Sequence, residues 1–227
     1  MRTAVFDLDG TLADTSGDLL AAANAALSGG GFGIPLHSGD ARTAFRGARA
    51  MLDLGLTRHG LGADRADKVE DLYPILLEHY RIGLCRETRL YEGATTTLDR
   101  LEADGWLLAI CTNKPIALAR NLLDQLGVAG RFRAILGADS LAVRKPDPGH
   151  VWETIALAGG RRDLAVMIGD TETDRSAARN AGIPCVLVGF GPDGAGVADL
   201  EPEAVLGHYD DLPDLLAELL PRQHLAG

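Results

Sequence analysis

The sequence predicts an α/β protein: a Rossmann-like parallel sheet with helices on both faces, together with a small α-helical cap domain. Short apolar runs without alternation recur along the chain, as expected for strands that are buried on both faces. Stretches with apolar residues at helical spacing lie between these runs, and strand alternating with helix is typical of a parallel sheet. One long stretch after the first strand has helical spacing but no strand signal, which indicates an inserted domain.

The elements follow in this order along the chain. The predicted strands lie at residues 4–6, 106–111, 134–136, 165–168 and 185–188. Helices are predicted at residues 93–103, 116–126, 148–157, 173–181 and 211–220, and in the insertion at 18–27, 40–56 and 63–80. We therefore expect a core formed by residues 1–14 and 85–227, with the cap at 15–84. In such a sheet ligands bind at the carboxyl ends of the strands.

Composition narrows the classes of function. The 227 residues include 22 basic and 32 acidic side chains, a formal net charge of −10. This argues against nucleic-acid binding, which depends on clustered Lys and Arg. No apolar run approaches the roughly 18 residues of a membrane span, and the N-terminus leaves no room for a signal sequence. Three widely spaced cysteines suggest neither a disulfide framework nor a zinc site, so we expect a cytoplasmic protein.

Two acidic pairs follow predicted strands. Asp7 and Asp9 come directly after the first strand, and Asp170 and Asp174 follow the fourth. Carboxylates this close repel one another unless a cation or a proton separates them. An all-oxygen ligand set suits Mg²⁺, which is bound by one or two carboxylates together with substrate phosphate. The sequence therefore predicts a magnesium site.

Two further strand ends carry groups that a phosphoryl group would contact. Thr112 and Asn113 offer a hydroxyl and an amide, and Lys145 offers an ammonium in a loop stiffened by Pro146. Each residue alone has an ordinary interpretation as a helix cap, a turn residue or a surface lysine. Taken together, four strand ends in order favour a clamp for a phosphoryl group.

These motifs resemble those of the haloacid dehalogenase-like hydrolase superfamily, and within it the phosphoglycolate phosphatase branch. The matching segments are Asp7-Leu8-Asp9-Gly10-Thr11-Leu12, Thr112-Asn113-Lys114, Arg144-Lys145-Pro146 and Gly169-Asp170-Thr171 with Asp174. The resemblance covers almost the whole predicted core. The insertion matches the superfamily's small cap in position and size, but only loosely in sequence.

The resemblance implies a mechanism. Asp7 would attack phosphorus and become an aspartyl phosphate, and Asp9 would protonate the leaving group and then activate water. Lys145 and Thr112 would stabilise the phosphoryl group, and Asn113 and the Gly10 amide would bind substrate. The implied ligands of Mg²⁺ are Asp7, the backbone carbonyl of Asp9, Asp170 and Asp174. The partner would be a small phosphorylated metabolite, and both monomer and homodimer stay open.

Substrate choice is assigned to the cap. Arg42, Arg46 and Arg49 fall at i, i+4 and i+7 of a predicted helix, where they would meet a second anionic group of the substrate or form a solvated basic face. A mutase of the β-phosphoglucomutase kind shares every core residue and is an alternative, as is a binding protein without turnover. Asp9 argues against a dehalogenase, which needs no proton donor. Cys111 is interpreted as a buried hydrophobe, since no histidine partner is apparent in sequence.

Overall fold

The computed structural model describes residues 1–191 and 193–221. Within these ranges the strands are β1 (Thr3–Phe6), β2 (Ala13–Asp14), β3 (Arg89–Leu90), β4 (Leu107–Cys111), β5 (Ala134–Leu136), β6 (Ala165–Gly169), β7 (Cys185–Val188) and β8 (Ala204–Leu206). The helices are α1 (Ser16–Gly29), α2 (Ala41–Phe45), α3 (Ala48–Arg58), α4 (Arg65–Ile82), α5 (Ala94–Ala103), α6 (Ile116–Gln125), α7 (Pro148–Leu157), α8 (Glu172–Ala181) and α9 (Leu212–Leu219). No helix in the described part of the chain is long and apolar enough to cross a membrane.

The chain forms two compact units. The first, the core unit, comprises Met1–Ala13 and Leu90–Gly227, and the second, the cap unit, comprises Asp14–Arg89. The sequence placed these boundaries at 14/15 and 84/85. The difference arises because β2 and β3, two residues each, are too short to give a periodic signal, and they pair with each other as a separate two-stranded sheet.

The core unit contains a six-stranded sheet in the order β5-β4-β1-β6-β7-β8. Every neighbouring pair is parallel, which confirms the predicted fold class. All residues of β1, β4, β5, β6 and β7 are buried, as the uninterrupted apolar runs indicated. β8 was not predicted because its apolar run has three residues and is partly exposed.

The register of β1 determines which residues meet at the carboxyl edge of the sheet. Phe6, the last residue of β1, lies opposite Ile110 of β4 and Ile168 of β6. The central strand and its two neighbours therefore end at nearly the same level, and the residues that follow them share one edge. Phe6 is fully buried and packs edge-on against Phe132, with ring centroids 6.4 Å apart, which anchors the end of β1 in the core.

The cap unit is helical, as predicted, but the single helix expected at residues 40–56 is wrong. The chain forms α2 and α3 instead, with Gly47 between them at φ +101°. Only glycine adopts this backbone conformation without strain, so the helix ends there and restarts. At the start of α1, the buried carboxylate of Asp18 accepts hydrogen bonds from the amides of residues 86, 87 and 88 and from the Thr88 hydroxyl. This carboxylate ties the two ends of the unit together.

Candidate active site

Three carboxylates converge at the carboxyl edge of the sheet. Asp7 follows β1, Asp170 follows β6, and Asp174 lies in the first turn of α8. One oxygen from each lies within 4.8 Å of the others, and all three residues are buried. We call these three residues the carboxylate cluster. Their convergence follows from the register, because β1 and β6 are adjacent, parallel and end together.

The electrostatics of the carboxylate cluster favour a bound cation. Burial raises the pKa of Asp7 to about 6, against the opposing effect of Lys145. Burial, with Asp174 and Asp7 nearby, raises the pKa of Asp170 well above its usual range. Asp7 Oδ1 is buried and accepts no hydrogen bond from any described residue. A buried carboxylate oxygen that lies near two further carboxylates and has no aligned hydrogen bond belongs to an all-oxygen donor set that fits Mg²⁺.

The Lys145 side chain brings a positive charge into contact with the carboxylate cluster. Its Nζ lies 3.0 Å from Asp7 Oδ1, as an ion pair without hydrogen-bond alignment, and 2.6 Å from Asp174 Oδ1 as a hydrogen bond. Burial alone would lower the pKa of Lys145, but Asp174 and Asp7 outweigh it and raise that pKa above its usual range. The lysine therefore stays charged beside the oxygen that is assigned as nucleophile.

Asp174 has partners at both of its carboxylate oxygens. Oδ1 accepts from Lys145, while Oδ2 accepts from the Thr171 hydroxyl at 2.7 Å and from the amides of Thr171 and Asp170. This capping box at the start of α8 fixes the side chain. The geometry gives Asp174 a positioning role toward Lys145 and the Asp170 loop. Its predicted role as a metal ligand stays a prediction.

Asn113, Gly10 and Thr112 make contacts within the loops at the sheet edge. The Asn113 amide nitrogen donates to the carbonyl of Lys145 at 2.9 Å, so it fixes the lysine loop. The Gly10 amide donates to the carbonyl of Ala13 at 2.9 Å and so closes the turn after β1, and its contact with substrate stays a prediction. The buried Thr112 hydroxyl accepts from the Lys114 amide, and donation of its O–H to a phosphoryl oxygen stays a prediction.

Two residues of the site were not assigned from the sequence. Lys114 Nζ lies 2.8 and 3.1 Å from the two carboxylate oxygens of Asp9. The Thr11 hydroxyl donates to Asp170 Oδ1 at 2.8 Å, and its carbonyl accepts from the fully buried Tyr209 hydroxyl at 2.7 Å. Both residues lie inside the matching motif segments without a role assigned to them, and that membership was the available signal. Tyr209 gave none, since it follows the last motif.

The cap arginines do not share one helix face. Arg42 lies in α2 and Arg49 in α3, and Arg46 is in the turn between these helices. The Arg49 guanidinium makes two hydrogen bonds to Glu70, at 2.6 and 2.8 Å, and lies 3.6 Å from the ring centroid of Tyr73. Arg49 is thus held inside the cap unit. Contact of the three arginines with substrate stays a prediction.

Cys111 has a histidine partner that the sequence did not reveal. Its Sγ lies 3.5 Å from His150 Nδ1, and His150 Nε2 lies 3.1 Å from the carbonyl of Gly137. Burial raises the pKa of the Cys111 thiol to about 11, and burial with the nearby Lys145 lowers the pKa of His150. A neutral thiol beside a neutral imidazole is a structural contact, which agrees with the interpretation of Cys111 as part of the core.

Comparison with known proteins gives one consistent result. Residues 4–188 match the family of haloacid dehalogenase-like hydrolases. A phosphoglycolate phosphatase from Mesorhizobium japonicum is 42% identical over 218 residues, which cover 96% of this chain and 96% of that protein. A phosphoglycolate phosphatase from Agrobacterium fabrum is 38% identical over 217 residues, which cover 96% of this chain and 93% of that protein. A crystal structure described as a predicted phosphoglycolate phosphatase from Haemophilus somnus superposes with a TM-score of 0.83 at 26% identity, covering 95% of this chain and 97% of that one.

Proposed function

This chain belongs to the haloacid dehalogenase-like hydrolase family, in its phosphoglycolate phosphatase-like branch, and is a phosphoric monoester hydrolase; we propose that it is Mg²⁺-dependent and hydrolyses a small anionic monoester of the 2-phosphoglycolate kind. The observation that carries this proposal is the buried Asp7 Oδ1, which accepts no hydrogen bond from the described residues and lies 3.0 Å from Lys145 Nζ. A nucleophile and a charge partner for phosphate thus lie side by side.

The residues divide the reaction into two displacements at phosphorus. In the first, an Asp7 oxygen forms a bond to phosphorus, the bond to the leaving oxygen breaks, and Asp9 gives its proton to that oxygen. In the second, water attacks phosphorus, Asp9 takes a proton from it, and the bond to Asp7 breaks to release phosphate. Asp9 therefore ends the cycle protonated, as it began.

The charges around Asp7 make these displacements feasible. Two anions, a carboxylate and a phosphate ester, have to approach each other, and their repulsion has to be offset. Lys145 offsets part of it from its fixed position between Asp7 and Asp174. Asp7, Asp170 and the backbone carbonyl of Asp9, with Asp174 directly or through water, would hold Mg²⁺, which would supply further positive charge to the transferring oxygens. Thr11 orients Asp170 for this role.

Support for the substrate class comes from the relatives and from the cap. The two relatives whose alignments cover 96% of this chain are phosphoglycolate phosphatases, and 2-phosphoglycolate carries a carboxylate besides its phosphate. The three cap arginines are assigned to this second anion, and Arg42 and Arg46 are the two to substitute, because loss of Arg49 would also remove its hydrogen bonds to Glu70 within the cap unit. We expect Arg42→Ala and Arg46→Ala to raise KM for 2-phosphoglycolate more than for an ester without a carboxylate.

The test is a panel of phosphate esters assayed with Mg²⁺ and with a chelator. Ranked by kcat/KM, 2-phosphoglycolate should lead, activity should vanish without metal, and Asp7→Asn should be inactive on every ester. Asp67→Asn, at an exposed position of the cap unit, is the matched control and should retain activity. Hexose phosphates that isomerise without release of phosphate would instead identify a mutase. Activity of Asp7→Asn equal to wild type would refute this site.

A further inference from the structure

In the ion pair between Lys114 and Asp9, the lysine side chain is buried more deeply than the aspartate side chain. The Lys114 side chain is 3% exposed, whereas the Asp9 side chain is 19% exposed. The chain has three lysines, and the two in the core unit, Lys114 and Lys145, are both buried at the carboxyl edge of the sheet. Lys145 contacts the nucleophile, and Lys114 contacts the residue assigned to move the proton.

The chemistry of an ammonium group restricts what Asp9 can do beside it. An ammonium has three donors and no acceptor, so any Asp9 oxygen in contact with Lys114 has to be an acceptor. When Asp9 carries a proton, the O–H therefore points away from Lys114. When Asp9 is ionised, both oxygens are fixed by the contacts of 2.8 and 3.1 Å. Lys114 thus orients both the acid and the base form of Asp9.

We propose that Lys114 is the positioning residue that orients Asp9 for proton transfer to the leaving oxygen. This inference rests on the proposed function. In the step concerned, the phosphorus–oxygen bond to the leaving group breaks and its electron pair stays on that oxygen. The Asp9 proton moves to the same oxygen while an Asp7 oxygen bonds to phosphorus. Lys114 keeps its proton throughout and acts through its contact with Asp9.

A purely structural role for Lys114 predicts a different result from a positioning role. Loss of a buried ion-pair partner destabilises the fold, and a distorted site would lower activity on every ester alike. Loss of proton delivery affects only esters whose leaving group needs a proton. An alkoxide leaving group, as in 2-phosphoglycolate, needs one, whereas p-nitrophenolate departs as a stable anion. The ratio of the two effects therefore separates the roles.

The experiment compares kcat/KM on 2-phosphoglycolate and on p-nitrophenyl phosphate, because kcat/KM reports the first displacement alone. Asp9→Asn and Lys114→Met should each lose about 100-fold or more on 2-phosphoglycolate, but less than about 10-fold on p-nitrophenyl phosphate. The double variant should be no worse than Asp9→Asn, because the two residues act as one unit. Lys68→Met, at an exposed lysine of the cap unit, is the matched control and should change neither value.

The other possible outcomes overturn either the positioning role of Lys114 or the proposed function. Equal losses of Lys114→Met on the two esters, or no loss on either, would overturn the positioning role while leaving the proposed function intact. If Lys114→Met does not fold, Lys114→Gln, which keeps one donor toward Asp9, should show the same preference for loss on 2-phosphoglycolate. If the wild type hydrolyses neither ester, the proposed function is wrong and this inference falls with it.

Discussion

The ion pairs of Lys145 and Lys114 at the carboxylate cluster and three ion pairs at the surface of the cap unit differ in their exposure to water. Around the carboxylate cluster, the Lys145 and Lys114 side chains are 1% and 3% exposed. In the cap unit, the pairs Arg49–Glu70, Arg65–Asp53 and Lys68–Asp71 join side chains that are at least 38% exposed. Exposed pairs cost little and stabilise little, whereas buried pairs carry a desolvation penalty that their attraction barely offsets. The two lysines at the carboxylate cluster are therefore expected to matter for activity as well as for stability, whereas the three cap pairs are expected to matter little for either.

The largest effect should follow removal of the Lys145 charge. Lys145→Met leaves Asp7 and Asp174 buried without their cation, which we expect to lower the free energy of unfolding by about 3 to 5 kcal/mol. Activity should fall about 100-fold or more, since the phosphoryl group loses its cation. Denaturant unfolding and steady-state kinetics measure both changes. Lys68→Met should leave both nearly unchanged, and equal effects of the two variants would break the comparison.

The next effect concerns the divalent cation. Mg²⁺ that binds the folded chain alone should stabilise it by about 2.7 kcal/mol at 100 times its Kd. Asp170→Asn removes one proposed ligand, so the rise in Tm on adding Mg²⁺ should shrink strongly in this variant and persist in Asp67→Asn. Thermal unfolding at several Mg²⁺ concentrations provides the measurement. A full Mg²⁺ effect in Asp170→Asn would remove that carboxylate from the site.

A further effect is expected with pH in protein kept free of metal by a chelator. The pKa of Asp7 is raised to about 6 in the folded state, so folded Asp7 binds its proton more tightly than unfolded Asp7 does. The stability that this provides, at most about 3 kcal/mol, is complete below about pH 4 and is lost as pH rises through about 6. Asp170 acts in the same direction. Unfolding measured from pH 4 to 8 should show this decline, and Asp7→Asn should reduce it; a rise in stability over this range would contradict the account.

The smallest effect should come from the cap unit. Arg49→Ala removes two hydrogen bonds to Glu70 that lie at the surface, and we expect Tm to change by about 2 °C or less. The same substitution should leave kcat unaltered, because Arg49 contacts Glu70 and Tyr73 within its own unit. A drop of several degrees would show that exposure does not determine the value of a pair in this chain.

The sequence predicted those features that depend on local pattern. Apolar runs predicted five of the six strands of the core sheet, and the residue types after them placed Asp7, Thr112, Lys145 and Asp170 at one edge. Contacts between side chains could not be predicted in this way. The Lys114–Asp9 and Cys111–His150 pairs join residues 105 and 39 positions apart, and no periodicity reports such distances. The break at Gly47 was missed because apolar spacing continues through it, while the positive φ that ends the helix is a property of the backbone alone.

The central claim is that Asp7 becomes phosphorylated during turnover. Borohydride reduces an acyl phosphate to an alcohol, so quenching the enzyme during turnover of 2-phosphoglycolate with borohydride should convert residue 7 to homoserine. Mass spectrometry of the N-terminal peptide should then show a loss of about 14 Da that depends on substrate and Mg²⁺ and is absent in Asp7→Asn. Reduction at another residue, or an unmodified Asp7 in enzyme that is turning over, would contradict the account.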